Sequence, residues 1–282
     1  MRGDAGGADR QVALWRTYRL SADGLCPAEG HLVCEAPLLL QLDGRPVAAM
    51  MRTPGRDVEL ATGFLVSEGV VASASDIASV TIKHSCHREP SKDVGCSGQN
   101  WVGDVADVQM VSGAVPIALT RRMRMVWAVA GDREPCSDTA LPTVERELSL
   151  GWPSLVAAST DLNMAQKLRE RAGGVHGFGI YRDTGERLVV CEDVGRHNAM
   201  DKAIGWCLRH RLADIWAFGV CSGRLSYEMV AKAARAGLPI LVSFSAPSSL
   251  GVIAAERCHI TLVGYLTDSQ ALAYTHPERL AT

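Results

Sequence analysis

With 282 residues, 47% of them hydrophobic and 21% charged, the chain has the make-up of a globular protein that can bury one large core or two modest ones. Its 29 Lys and Arg against 31 Asp and Glu leave a net charge of −2, which disfavours a sequence-independent grip on nucleic acid. No run reaches the roughly 18 apolar residues needed to span a membrane. The opening MRGDAGGADRQ lacks the apolar segment of a secretory signal, so a cytoplasmic chain with reduced thiols is expected.

Taken in chain order, residues 1–30 are rich in Gly, Ala and polar side chains and are expected as a flexible tail. LVCEAPLLLQLDGRPVAAMM reads as a hairpin turning at Asp43-Gly44. TPGRDVELATGFLVSEGVV then reads as a helix started by Thr53 or Asp57, with Leu60, Phe64 and Leu65 on one face. DIASVTIKH and VGDVADVQMV read as strands around a loop at 84–100. IALTRRMRMVWAVAGDRE is a helix candidate on which Arg121, Arg122 and Arg124 gather. Together these predict a smaller N-terminal α+β domain over 31–135, followed at 136–153 by a linker that carries Cys136.

From 154 to 282 the rhythm changes. LVAASTDLNMAQKLRERAGG reads as one helix with a glycine stop. VHGFGIY, RLVVCEDVG, DIWAFGVC, LPILVSF and HITLVGYL read as strands, and helical segments separate the later ones. Such alternation predicts an α/β layer with helices covering a sheet. Functional loops should then gather where strands end and helices begin.

Polar residues are densest in CEDVGRHNAMDK, where Glu192, Asp193, Arg196, His197, Asn198, Asp201 and Lys202 crowd a strand-to-helix junction. Backbone amides at a helix start suit an anion, although a capped helix with solvated ion pairs accounts for the same residues. Ser222, Gly223 and Arg224 follow the next strand, and Ser245, Ser248 and Ser249 the one after. One such loop is ordinary capping, whereas three in succession point to an anion or nucleotide pocket. AGGVHGFG, around His176, matches neither a dinucleotide fingerprint nor a phosphate loop and reads as a helix stop before a close-packed strand.

The nine cysteines are irregularly spaced, and several lie in apolar runs where they act as small hydrophobes. His84, Cys86, His87 and Cys96 are zinc-type donors, but their spacing fits no compact zinc motif. A zinc deaminase needs P-C-x-x-C; here Pro135 and Cys136 are followed by Thr139 where the second cysteine belongs. No structural metal is expected. Cys136 sits in GDREPCSDTALP beside Arg133, and a nearby guanidinium favours the thiolate.

Four segments carry a resemblance: MRTPGRDVELATGFLVSEGVV, EDVGRHNAMDKAIGW, SGRLSYEMVAKAARAGLPILVSFSAPSSL, and LVGYL with the later YTHPERL. In order, over about 33–280, they resemble the formate dehydrogenase accessory sulfurtransferase family, FdhD. The resemblance implies a sulfurtransferase that takes sulfur from a cysteine desulfurase as a cysteine persulfide. It passes the sulfur to the molybdenum cofactor, a bis(molybdopterin guanine dinucleotide), for formate dehydrogenase. It also implies a C-terminal cytidine-deaminase-like α/β/α domain without deaminase chemistry, and a possible homodimer. The family's sulfur-bearing C-x-x-C loop maps its first cysteine onto Cys136, with Thr139 replacing the second. Its cofactor loop maps onto Tyr265, Leu266, Thr267, Asp268, Ser269 and Gln270, where Asp268 stands instead of the usual cations. His197, Lys202, Arg224 and Ser245 are then the candidates for holding the cofactor's phosphates. A chaperone that binds this pterin without sulfur chemistry is the alternative, and a zinc hydrolase built on the His84–Cys96 cluster is a third reading.

Overall fold

The computed structural model describes residues 10–84, 103–112 and 141–281. Val12–Ser21 (β1) and Gly24–Val33 (β2), expected as part of a loose tail, instead pair antiparallel along their whole length. The reason lies in WRTY and its neighbours, whose aromatic and β-branched residues favour extended backbone. Their signal was hidden by the Gly- and Ala-rich stretch before them. Leu14, Trp15, Tyr18, Leu20 and Leu25 remain exposed on this ribbon.

The Asp43-Gly44 turn forms as expected: both residues take left-handed φ, 48° and 75°, as a two-residue hairpin turn that matches strand twist requires. It joins Ala36–Leu42 (β3) to Arg45–Arg52 (β4). With Ile77–Lys83 (β5) and Asp104–Met110 (β6) they make a four-stranded sheet in the order β4-β3-β6-β5. Asp57–Ser67 (α1) covers one face, where Leu60 and Leu65 meet Leu38, Leu40, Met50 and Val108. No side chain caps α1; Asp57 instead sits in its first turn, where a carboxylate suits the helix dipole.

α1 is buried almost all round, the mark of a helix enclosed on two sides. Its second neighbour is Arg196–Arg209 (α4). The helices cross at Gly63 and Gly205, where an added Cβ would run into the backbone carbonyls of Asp201 and Glu59 respectively. Only hydrogen fits there, so the N-terminal unit and the α/β layer meet backbone to backbone.

The remaining elements are Leu150–Gly151 (β7), Trp152–Ala165 (α2), Lys167–Ala172 (α3), His176–Tyr181 (β8), Arg187–Asp193 (β9), Phe218–Cys221 (β10), Tyr227–Ala236 (α5), Ile240–Ser243 (β11), Ser249–Arg257 (α6), Thr261–Gly264 (β12), Leu272–Thr275 (β13) and Leu280–Ala281 (β14). Six of the strands form one sheet, ordered β13-β12-β11-β10-β8-β9. β9, β10, β11 and β12 run the same way, with β8 and β13 opposed. α4, α5 and α6 pack on one face around Phe178, Ile180, Met200 and Met229; α2 packs on the other around Tyr181, Phe218 and Val220. No helix among the described residues is long and apolar enough to cross a membrane.

The single helix expected after residue 154 breaks at Gln166 (φ −77°, ψ 73°). The Glu192 carboxylate accepts hydrogen bonds from the Leu168 and Arg169 amides, both at 2.8 Å, and so starts α3 afresh. In the stretch after the expected linker cysteine, Val144 donates its amide to the Cys258 carbonyl. Arg279 fastens the same stretch through the Val144 and Arg146 carbonyls.

Candidate functional site

Because β9 to β12 are parallel, the loops that follow them emerge at one edge of the sheet. Those after β9, β10 and β11 feed the starts of α4, α5 and α6. Backbone amides from three helix starts therefore converge on one crevice. The loops are tied together: Leu225 bridges Pro247, the Ser248 amide donates to the Leu225 carbonyl, and the Tyr265 and Leu266 amides donate to Ser245 and Ser243 carbonyls. Ser243 Oγ donates to the Gly223 carbonyl at 2.7 Å and accepts from the Ser245 amide at 2.9 Å. A rigid lip results, on which exposed groups keep their places.

CEDVGRHNAMDK is divided by the geometry of α4. One side of it faces the N-terminal unit. Lys202 donates to the Thr53 carbonyl at 2.7 Å and pairs with Asp193 at 2.6 Å. Asp193 also accepts from the Thr53 amide, and Asn198 donates to both Met51 and Asp193. Asp201 accepts from Ser67 and Lys232, and Lys232 reaches Glu68 at 2.8 Å. Burial works against the Lys232 ammonium, but the Asp201 and Glu68 carboxylates more than offset it, so it titrates above an ordinary lysine. Arg52 makes a third such centre, bidentate to Asp57 at 2.9 Å and 2.6 Å from Asp104.

The other side of α4 faces the crevice. His197 Nε2 is buried without a hydrogen bond and lies 3.8 Å from Glu228, an ion-pair distance. That imidazole, aided by the Ser226 hydroxyl at 2.9 Å, holds the Glu228 carboxyl down to about 2. Arg196, at the first position of α4, has no ion pair among the described residues, and its Nε is buried without a hydrogen-bond partner. Gly223 runs between Arg196 and His176: a Cβ on it would lie 3.1 Å from His176 Nδ1 and 3.3 Å from Arg196 Cδ. Burial first, and then the neighbouring Arg196 guanidinium, lower the His176 pKa.

Of the residues singled out in the sequence, His197, Arg224, Ser245, Tyr265 and Thr267 to Gln270 lie on this lip. Arg224 is exposed and meets no carboxylate among the described residues. Tyr265 is exposed with a left-handed φ of 52°, a strained conformation for an aromatic residue and of the kind that gathers at functional sites. Thr267 knits its turn by accepting from the Gln270 amide, while Asp268, Ser269 and Gln270 stay exposed. Two residues are placed differently. Leu266 is buried in the core beneath the lip, so it anchors the loop. Lys202 is 1% exposed and fully engaged with Thr53 and Asp193, so it reaches no ligand in this conformation. Cys136, Thr139 and the helix expected around Arg121, Arg122 and Arg124 lie outside the described residues, as do Cys86, His87 and Cys96.

Arg196 was named within the polar junction and His176 within the glycine-rich strand start, but neither was among the candidates for holding phosphate. Their signal was a cation opening a helix with no acidic residue in its first turn, facing a histidine at a glycine-rich strand end. Among the described residues, no three His, Cys, Asp or Glu side chains converge to hold a metal. Cys191, Cys207, Cys221 and Cys258 are buried, as their apolar surroundings in the sequence suggested. Burial pushes the Cys191 and Cys221 thiols up to about 11, which leaves them poor nucleophiles. A cavity of about 150 Å³ opens on the α2 face beside Leu155, Val263 and Ala273. Its apolar lining suits no anion, and the crevice on the lip remains the candidate site.

The fold and its loops define a mixed α/β protein with a strand-end crevice, braced by a small α+β unit. The model of the FdhD/NarQ family matches residues 33–281, and the chain belongs to that family. It is 38% identical over 274 residues to a protein of Mycobacterium bovis named sulfur carrier protein FdhD, covering 94% of this chain and 97% of the relative. A protein of the same name from Nocardia farcinica is 34% identical over 285 residues, with 96% and 95% covered. A crystal structure of a formate dehydrogenase accessory protein from Desulfotalea psychrophila superposes with a TM-score of 0.73 at 24% identity, over 96% of this chain and 100% of that one.

Proposed function

We propose that this chain is a cytoplasmic sulfur carrier that passes persulfide sulfur from a cysteine desulfurase to a molybdenum cofactor for formate dehydrogenase. The observation that supports this most is the family match from residue 33 to 281, within which the strand-end lip presents unpaired cations. In the loading step the Cys136 thiolate attacks the outer sulfur of the desulfurase persulfide. A new S–S bond forms on Cys136, the donor's S–S bond breaks, and the donor cysteine leaves as its thiolate. One thiol suffices for this. With Thr139 in place of a second cysteine, no disulfide within the loop competes with handover.

The acceptor is a bis(molybdopterin guanine dinucleotide), read as cargo on the lip. Arg224, His197 and the Ser245 loop are the groups for its phosphates, and the exposed Tyr265 ring is the platform on which a guanine stacks. Asp268 carries the wrong sign for phosphate and belongs at the rim. The C-terminal layer is read as cytidine-deaminase-like, on the strength of a six-stranded sheet with helices on both faces.

The test is complementation of a strain lacking its own carrier. Wild-type protein restores formate dehydrogenase activity and Cys136→Ala does not. Full restoration by Cys136→Ala would point to the other reading, a chaperone that holds the pterin without carrying sulfur.

A further inference from the structure

We propose that Thr53, in the N-terminal unit, is a positioning residue of the strand-end crevice and holds the loop between β9 and α4 in its ligand-binding form. The assignment rests on the crevice reading of the proposed function. It makes the N-terminal unit part of the site's machinery as well as its brace.

Thr53 is wholly buried between β4 and α1, and its three polar groups all reach across to the α/β layer. Its amide donates to Asp193 at 3.0 Å, its hydroxyl accepts from the Val194 amide at 3.1 Å, and its carbonyl accepts from Lys202 at 2.7 Å. These partners are the end of β9, the loop after it and the body of α4. Asp193 spreads the hold, because its other carboxylate oxygen accepts from the Gly195 amide at 2.9 Å and from Asn198 at 3.0 Å. Val194, Gly195, Arg196 and His197 are half-exposed. Thr53 thus grips the loop from its buried side and leaves the other side to a ligand.

The turn that carries Thr53 is stiff enough to act as a template. Pro54 restricts the residue before it to extended backbone, which fixes the directions of the Thr53 amide and carbonyl. Gly55 takes a φ of 104°, a conformation open to glycine, and the Pro54 carbonyl accepts from Gln11 Nε2 at 2.9 Å. Valine shares threonine's shape but offers the Val194 amide no acceptor. In Thr53→Val that amide must turn to water, and Gly195 beside it gives the backbone freedom to do so. The start of α4 then leaves its place.

Ser67 provides the contrast. Its hydroxyl is equally buried in the same interface, donating to Asp201 at 2.6 Å and accepting from Lys232 at 3.0 Å. Those partners lie within α4 and α5 and not in a strand-end loop.

Hydrogen exchange in the ligand-free, full-length protein reads the grip. Thr53→Val speeds exchange of the Val194 and Gly195 amides by about tenfold, the equivalent of one lost hydrogen bond, and Ser67→Ala does not. Calorimetric titration with guanosine diphosphate reads the consequence: Thr53→Val binds about tenfold more weakly, whereas Thr53→Ser and Ser67→Ala bind as the wild type does. Ser67→Ala lowers the melting temperature, which separates lost stability from lost positioning. Wild-type affinity or unchanged exchange in Thr53→Val overturns the assignment, as does weakening by Ser67→Ala to the same degree. A Thr53→Val chain that does not fold overturns it too, since the residue then serves the fold. Wild-type protein that binds no guanosine diphosphate overturns the crevice reading itself and the role of Thr53 with it, while sulfur loading of Cys136 reads the carrier role separately.

Discussion

α4 carries two kinds of cation, and their difference separates structure from function. Lys202, near its middle, lies with Lys232 of α5 in the interface to the N-terminal unit, and each ammonium meets a carboxylate within 2.8 Å. Arg196, at the start of the same helix, meets none among the described residues, nor does Arg224 on the neighbouring loop. Full burial permits a charge only if it is paired, so the interface cations are obliged to serve the fold. Those at the strand ends are half-buried or exposed and are not so obliged; they are available to a ligand. Sequence charge density marks both alike.

The largest expected effect breaks the interface where it is tightest. Gly205→Leu drives a side chain into the Glu59 carbonyl across the α1–α4 crossing. A cost of about 3 kcal/mol, the upper end for overpacking, is expected between two backbones, seen as a lowered thermal transition. Lys232→Met removes the ammonium that offsets the charge of the wholly buried Asp201, which still accepts from the Ser67 hydroxyl. Breaking a buried pair from one side costs about 3–5 kcal/mol, measured by urea denaturation. Adding Asp201→Leu to that variant recovers part of the loss.

A smaller effect belongs to the rim. Glu228 has its folded pKa depressed to about 2 from an ordinary 4.5. It therefore contributes stability above pH 4.5, and that contribution is lost as the pH falls towards 2. Glu228 is 25% exposed, so after solvent screening Glu228→Gln is expected to cost about 1 kcal/mol at neutral pH. The two proteins should melt together at pH 2. Smallest of all is Tyr265→Gly, which relieves a left-handed φ of 52°. It should leave stability unchanged or raise it by up to about 1 kcal/mol, while weakening guanosine diphosphate binding by removal of the ring. A fall in stability would show that Tyr265 serves the fold.

What could be read from the sequence depended on whether the signal was local. The β3–β4 hairpin was legible because Asp43-Gly44 is itself the turn chemistry. The alternation after residue 154 was legible because each strand is a short apolar run between helical ones. The break at Gln166 was not, since its cause is the Glu192 carboxylate, far along the chain. The β1–β2 ribbon was missed because a composition typical of tails surrounds it. CEDVGRHNAMDK stood out as a candidate junction, but its division between interface and lip did not. Only the partners of Lys202 in β4–α1 and β9 show that this lysine belongs to the interface and is not free for the phosphate role first given to it. Sulfur chemistry was legible only through family resemblance, because nothing local distinguishes Cys136 from an inert loop thiol.

The central claim is that Cys136 carries sulfur, and mass spectrometry of the intact protein tests it most directly. After incubation with a cysteine desulfurase and cysteine, the wild-type chain is expected to gain about 32 Da, one sulfur atom, mapped by peptide to Cys136 and removed by reductant. Buried Cys191, Cys207, Cys221 and Cys258 should stay unmodified. No gain in mass, or the same gain in Cys136→Ala, would contradict the account.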